Sequence, residues 1–158
     1  TGRIKELYVS SGGKNIAPLV IEETMKSIPM VSQCMLIGDG RKYCSALFTL
    51  DVGAILRDKH GMDPAKIPKD PTVQISTLES FGKTLADYTD SEEIHAEMQA
   101  QVTELNGQFS NPEQIKKFKI LPRDLNVDFG ELTPTLKIRR IQIRENWAAE
   151  IEAMYEGA

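Results

Sequence analysis

Met30 to Ile37 and Tyr43 to Leu50 are predominantly apolar and rich in strand formers, and Gly38-Asp39-Gly40 lies between them. That arrangement predicts an antiparallel hairpin. Ahead of it, Val20, Ile21, Thr24, Met25 and Ile28 recur with helical spacing after Asn15-Ile16-Ala17-Pro18, where the proline suits a first turn; Pro29 closes the helix. Leu7 to Ser11 reads as a short strand ended by Gly12-Gly13, two residues able to take positive φ. Beyond the hairpin, Asp51 caps a short helix carrying Val52, Ile55 and Leu56, with Lys59-His60 in its last turn and Gly61 as its stop.

Between Met62 and Tyr88 the pattern weakens and is punctuated by Pro64, Pro68 and Pro71. Residues 62–90 therefore read as a surface insertion with one short helix near Leu78 to Leu85. A stronger helix starts at Thr89 or Asp90, with Glu92 and Glu93 as capping-box partners, and Ile94, Met98, Val102, Leu105 and Phe109 form one apolar stripe facing the core. Lys117 to Leu121 is a strand ending at Pro122, and Val127-Asp128-Phe129 approaches a loop centred on Gly130. A last helix puts Ile143, Trp147, Ile151 and Met154 on one face. There is no internal repeat. The expected class is α+β, a small domain with a central, mostly antiparallel sheet including a hairpin, flanked by helices.

Composition narrows the picture. A chain of 158 residues with 41% hydrophobic content buries one ordinary core, so residues 1–158 read as a single domain. Charged residues make up 27% and the net charge is only -4, which does not point to nucleic acid. No apolar run is long enough to cross a bilayer and no signal-peptide pattern opens the chain, so a soluble protein is expected. Cys34 and Cys44 are too few for a disulfide scaffold and suit a reducing compartment. They could face each other across the hairpin, although buried free thiols fit better. His60 and His95 stand without a nearby partner in sequence and read as solvated or locally bonded, and no residue is assigned to a metal. Thr1-Gly2-Arg3 lacks an initiator methionine and runs quickly into Leu7-Tyr8-Val9, as though the domain had been excised from a longer chain.

Two segments at opposite ends are dense in glycine, basic residues and turn signals: Gly2 to Pro18, "GRIKELYVSSGGKNIAP", and Gly130 to Arg140, "GELTPTLKIRR". Taken singly, a Gly-Gly pair after a strand makes a turn and a Lys-x-Arg-Arg cluster before a helix makes a solvated face. Together they resemble two signature stretches of the adenylate-forming superfamily, in the order and separation of its small carboxyl-terminal domain. The first is similar to that family's hinge and Ser-Gly-Gly-x-Asn loop, in a form close to fatty acyl-CoA synthetases. The second is similar to the lysine motif of the long-chain and bubblegum-type synthetases, with Thr-Pro-Thr replacing the usual glycine-rich lead-in and Leu136 replacing the commoner glycine.

This resemblance implies a mobile cap domain: residues 1–17 form the hinge and glycine loop, and residues 130–140 form the lysine motif. Fatty acid and ATP would give an acyl-adenylate and pyrophosphate, after which coenzyme A displaces AMP. Lys137 matches the catalytic lysine of the first step, Lys5 the hinge, and Gly12 and Gly13 the wall of the coenzyme A tunnel. Arg3 and Lys14 match nucleotide or coenzyme A contacts, and Arg139 and Arg140 are candidates for coenzyme A phosphates or a solvated helix start. ATP and Mg would be held mainly by a larger amino-terminal domain, the implied partner, so the isolated domain is expected to be inactive. The implied setting is cytoplasmic, with scope for peripheral membrane attachment of a full-length enzyme. Two alternatives stay open, an acyl carrier protein as acceptor and a non-catalytic module that retains the fold.

Overall fold

The computed structural model describes residues 7–135 and 137–156. Its first elements are a small antiparallel ladder of β1 (Tyr8–Val9) with β2 (Asn15–Ile16), then α1 (Pro18–Met25), which takes Pro18 in its first turn. Next come β3 (Val31–Ile37) and β4 (Cys44–Leu50), the expected hairpin, paired antiparallel with Cys34 opposite Phe48. Helix α2 (Val52–His60) follows the sequence signals closely: the Asp51 carboxylate accepts from the Ala54 N–H, and Gly61 turns left-handed at φ 65°.

The chain then crosses over through α3 (Pro71–Ser80), α4 (Ala86–Thr89) and α5 (Glu92–Asn106) to β5 (Ile115–Ile120), which lies parallel to β4. The sheet order is β3-β4-β5. Helices α6 (Arg140–Asn146) and α7 (Ala148–Met154) end the fold, the predicted last helix being broken at Trp147. All seven residues of β4 are buried, as expected for a central strand covered on both faces. One face (Leu36, Ala46, Phe48, Phe118) packs with Met25 of α1, Ile55 of α2 and Met98 of α5. The other (Met35, Ile37, Leu47) packs with Leu132, Ile143, Trp147 and Ile151. The result is the α+β class that the pattern predicts, but the central sheet is mixed and not mostly antiparallel: β3 and β4 pair antiparallel, β4 and β5 parallel.

Several local readings change. The helix expected near Leu78 begins at Pro71, capped by Asp70 accepting from the Thr72 N–H, and Leu78 is fully buried in the core beside α2. Helix α5 starts one or two residues later than expected, because the Ser91 hydroxyl, and not Thr89 or Asp90, accepts from the Ile94 N–H. Both histidines have partners. His60 Nε2 lies 2.6 Å from the Tyr88 hydroxyl and its ring stacks on Phe81, while His95 stacks on Phe118. The cysteine reading, by contrast, holds: both thiols are free and buried, and Cys44 stands opposite Ile115 with its thiol 3.4 Å from the Pro112 carbonyl.

On the outer strands, β5 exposes Lys116, Lys117 and Lys119, and β3 gives its Leu36 N–H to the Glu22 carboxylate at 2.6 Å. Among the described residues no helix is long and apolar enough to cross a membrane.

Candidate functional site: a lysine loop and a glycine hairpin

Lys137 sits in a narrow loop with two rungs at its base. The Arg139 N–H donates to the Glu131 carbonyl at 2.8 Å, and Leu132 bridges antiparallel to Ile138. Nearer the tip, the Thr133 N–H donates to the Lys137 carbonyl at 2.8 Å and the Lys137 N–H to Thr133 Oγ1 at 3.1 Å. Leu132 is buried in the core, so the loop is rooted while Lys137 itself is exposed. Thr133 Oγ1 is also 3.1 Å from Thr135 Oγ1, so side-chain bonding within Thr-Pro-Thr helps to shape the loop.

Below this loop lies Glu131, whose side chain is wholly buried. Its carboxylate accepts from Arg123 through two guanidinium nitrogens (2.7 and 3.0 Å), the Trp147 indole N–H (2.8 Å), Asn146 Nδ2 (3.0 Å) and the Asn126 N–H (3.1 Å). Burial pushes this carboxyl upward, but the hydrogen bonds from Arg123, Asn146 and Trp147, with the Arg123 charge, outweigh it and hold Glu131 below the ordinary carboxylate range. Arg123 in turn lies over the Phe129 and Trp147 rings, 4.1 and 4.9 Å from their centroids. Gly130 just before it has φ 73°, and a Cβ there would come within 3.2 Å of Gln142 Cγ.

Gly12 and Gly13 occupy the tip of the β1–β2 hairpin, closed by the Gly13 N–H on the Ser10 carbonyl and the Lys14 N–H on Ser10 Oγ. This hairpin leans on the β3–β4 turn. The Val9 N–H donates to Asp39 Oδ1 at 3.0 Å, the Gly40 N–H to the Val9 carbonyl at 2.8 Å and the Ser11 N–H to the Arg41 carbonyl at 2.9 Å. Arg41 continues outward to Glu152 and lies 4.6 Å from the Tyr155 ring centroid. Gly13 needs its φ of 83°, but a Cβ on Gly12 would meet nothing nearer than Ser10 Oγ at 3.9 Å. The packing of the domain itself therefore does not demand glycine at position 12.

A buried ion pair connects the two regions. Arg140, directly after the lysine motif, donates to Glu22 of α1 at 2.5 and 2.7 Å and to the Tyr8 hydroxyl of β1 at 3.2 Å; Tyr8 donates to the Leu36 carbonyl at 2.9 Å. Glu22 is 3% exposed. Of the two readings given to Arg140, a phosphate contact or a solvated helix start, it does begin α6, but its guanidinium is neither solvated nor turned outward: it is engaged inside the fold. Between β1, α1 and the lysine loop runs an open groove of about 950 Å³, with Lys26, Lys137, Arg139 and Arg144 on its walls beside apolar Leu7, Leu19 and Ile141. Neither Gly12 nor Gly13 lines it. Lys14 is exposed next to the hairpin tip, whereas Arg3 and Lys5 lie outside the described residues.

Glu131 lies within the lysine motif, but nothing in the sequence marked its side chain, or those of Glu22 and Arg123, as buried and paired. The ion-pair partners are 8 residues apart for Arg123 and Glu131 and 118 apart for Glu22 and Arg140.

Residues 5–66 match the family model of the AMP-binding enzyme carboxyl-terminal domain. Those residues make up less than half of the chain, and over them it is similar to that domain of AMP-binding enzymes. Among curated proteins it is similar to the long-chain-fatty-acid–CoA ligase FadD15 of Mycobacterium tuberculosis, 36% identical over 155 residues that cover 98% of this chain and 23% of that protein. It is also similar to the long-chain-fatty-acid–CoA ligase ACSBG2 of Gallus gallus, 32% identical, covering 100% of this chain and 21% of the relative. The chain thus spans less than a quarter of the length of these curated relatives. In three dimensions it superposes on the adenylation domain of a carboxylate reductase from Mycobacterium chelonae with a TM-score of 0.66 over 98% of this chain and 20% of that one; at 19% identity this is a likeness of fold.

Proposed function

We propose that this chain serves as the carboxyl-terminal domain of a long-chain fatty acid–CoA ligase, which forms acyl-AMP from fatty acid and ATP and then the acyl-CoA thioester with release of AMP. One observation carries the reading: Lys137 projects from a loop braced at four points, and among the described residues no ion pair ties up its ammonium. The first half-reaction brings a carboxylate up to the α-phosphate of ATP. A compact ammonium between them offsets the accumulating negative charge, and a water-poor site makes that charge count.

The second half-reaction needs a passage for the pantetheine arm of coenzyme A. Gly12, free of any internal steric demand for glycine, suits a wall that something outside the domain approaches closely. Lys14, beside that wall, and Arg3 would each meet a phosphate of nucleotide or coenzyme A. Because Tyr8, Arg140 and Glu22 tie the hairpin strand to the end of the lysine motif, exchange of one region for the other at an active site is a turn of the whole domain about Lys5. ATP, Mg, the fatty acid and the remaining acyl pocket fall to a larger amino-terminal domain, in a cytoplasmic enzyme.

The test uses the complete ligase with Lys137→Ala. Fatty-acid-dependent pyrophosphate release should drop by about 10²–10³-fold, in line with loss of a positioned charge-stabilising donor. Thioester formation from supplied acyl-adenylate should stay near the parent rate. Equal loss of both half-reactions, or retention of pyrophosphate release, would remove Lys137 from its role. Running the second half-reaction with coenzyme A and with an acyl carrier protein identifies the acceptor.

A further inference from the structure

We infer that Glu131 is a positioning residue for Lys137: its buried carboxylate, gripped by Arg123, Asn126, Asn146 and Trp147, fixes the base of the loop from which the lysine acts. This rests on the role proposed for Lys137.

A carboxylate is an expensive choice for a buried position. Replacing a buried charge network with apolar side chains of similar volume is commonly neutral or stabilising, so such a network is weak evidence for stability and better evidence for a defined register. Here its donors come from both sides of the lysine loop: Arg123 and Asn126 precede it, and Asn146 and Trp147 follow it. Glu131 also supplies the main-chain carbonyl that closes the loop on the Arg139 N–H and gives its own N–H to the Asn126 carbonyl at 3.1 Å. Its neighbour Leu132 is buried in the core, and on the far side of the loop Ile138 packs against the same cluster.

The chemistry gives such a fixture a purpose. A lysine carries four rotatable side-chain bonds, so what the protein can define is where its Cα stands and which way the chain points there. Displacement of a catalytic group by about 1 Å can cost on the order of 10²-fold in rate. The main-chain rungs and threonine hydroxyls hold the loop to itself, and the five-donor carboxylate at its root ties it to the segments before and after it.

The experiment combines Glu131→Gln, Lys137→Ala and the double variant in the complete ligase, with the two half-reactions measured separately. Glutamine keeps the volume but turns one acceptor into a donor facing other donors. Glu131→Gln should lower kcat for pyrophosphate release about 10- to 100-fold, the scale expected of misplacement. Thioester formation from acyl-adenylate, and KM for coenzyme A, should change by less than about twofold, since those steps use the other loop. The double variant should be no slower than Lys137→Ala alone, because a residue that acts through the lysine has nothing left to act on.

A double variant slower by a further tenfold, equal loss of both half-reactions, or unchanged pyrophosphate release in a Lys137-dependent enzyme would each overturn the inference. Insensitivity of Lys137→Ala itself would instead overturn the role of the lysine. Should Glu131→Gln fail to fold, Arg123→Lys keeps the charge while losing the two-pronged grip. It should give the same selective loss at a few-fold, and no selectivity there counts against Glu131.

Discussion

The loop that carries Lys137 hangs from a fully buried carboxylate with five donors, whereas the hairpin that carries Gly12 and Gly13 rests on the β3–β4 turn through main-chain hydrogen bonds and one aspartate. The first must deliver a particular atom, the lysine ammonium, and its bracing runs inward to Trp147 and Ile143. The second has only to present a length of bare backbone. Its bracing stays at the surface, and a neighbouring turn is enough. Close packing appears there at one place, Gly38, where a Cβ would fall 2.9 Å from Cys44 Sγ and 3.6 Å from Tyr8. A side chain that acts and a main chain that yields space thus call for different support.

Removing what the two regions share should have the largest effect. Arg140→Met leaves the Glu22 carboxylate buried without its guanidinium, and urea unfolding should report a loss of about 3–5 kcal/mol. A loss under about 1 kcal/mol would mean that the two regions are held independently. Glycine substitutions sharpen the contrast at smaller scale. Gly130→Ala must hold φ near 73° and press on Gln142, at a cost of about 1–2 kcal/mol. Gly12→Ala should stay within about 0.5 kcal/mol of the parent in the same denaturation, while slowing thioester formation more than pyrophosphate release. Matching stability losses at the two glycines would erase the distinction.

The smallest effect expected is acid sensitivity confined to the lysine region. Because the folded state holds Glu131 below the ordinary carboxylate range, its contribution to stability is complete above that range and is lost as pH falls through the lowered value. Trp147, the chain's one tryptophan, donates to this carboxylate, so its fluorescence should shift over that acid interval. Glu131→Gln should remove the shift. A shift that persists in the variant belongs to another group.

How much of this was legible in the sequence depended on distance along the chain. The α2 cap and stop, the β3–β4 hairpin and the buried face of Ile143, Trp147, Ile151 and Met154 all rest on signals within about a dozen residues, and all appear as read. The segment around α3 misled because its prolines were taken as breakers. Pro64 and Pro71 each sit in the first turn of a helical element, behind Asp63 and Asp70 caps, and so start structure where they seemed to interrupt it. The lysine and glycine motifs were visible as residue strings, and the structure leaves Lys137, Gly12, Gly13 and Lys14 exposed. What supports them was not visible. A glutamate in an amphipathic helix, such as Glu22, reads as solvent-facing until an arginine 118 positions later fills the same space.

The outer strands of the three-stranded sheet have a consequence for how the domain behaves among its own copies. On one side the Glu22 carboxylate occupies an outward-facing amide of β3, and on the other a row of lysines borders β5. Neither margin welcomes an added strand, so concentrated solutions are guarded against stacking into ribbons and fibrils.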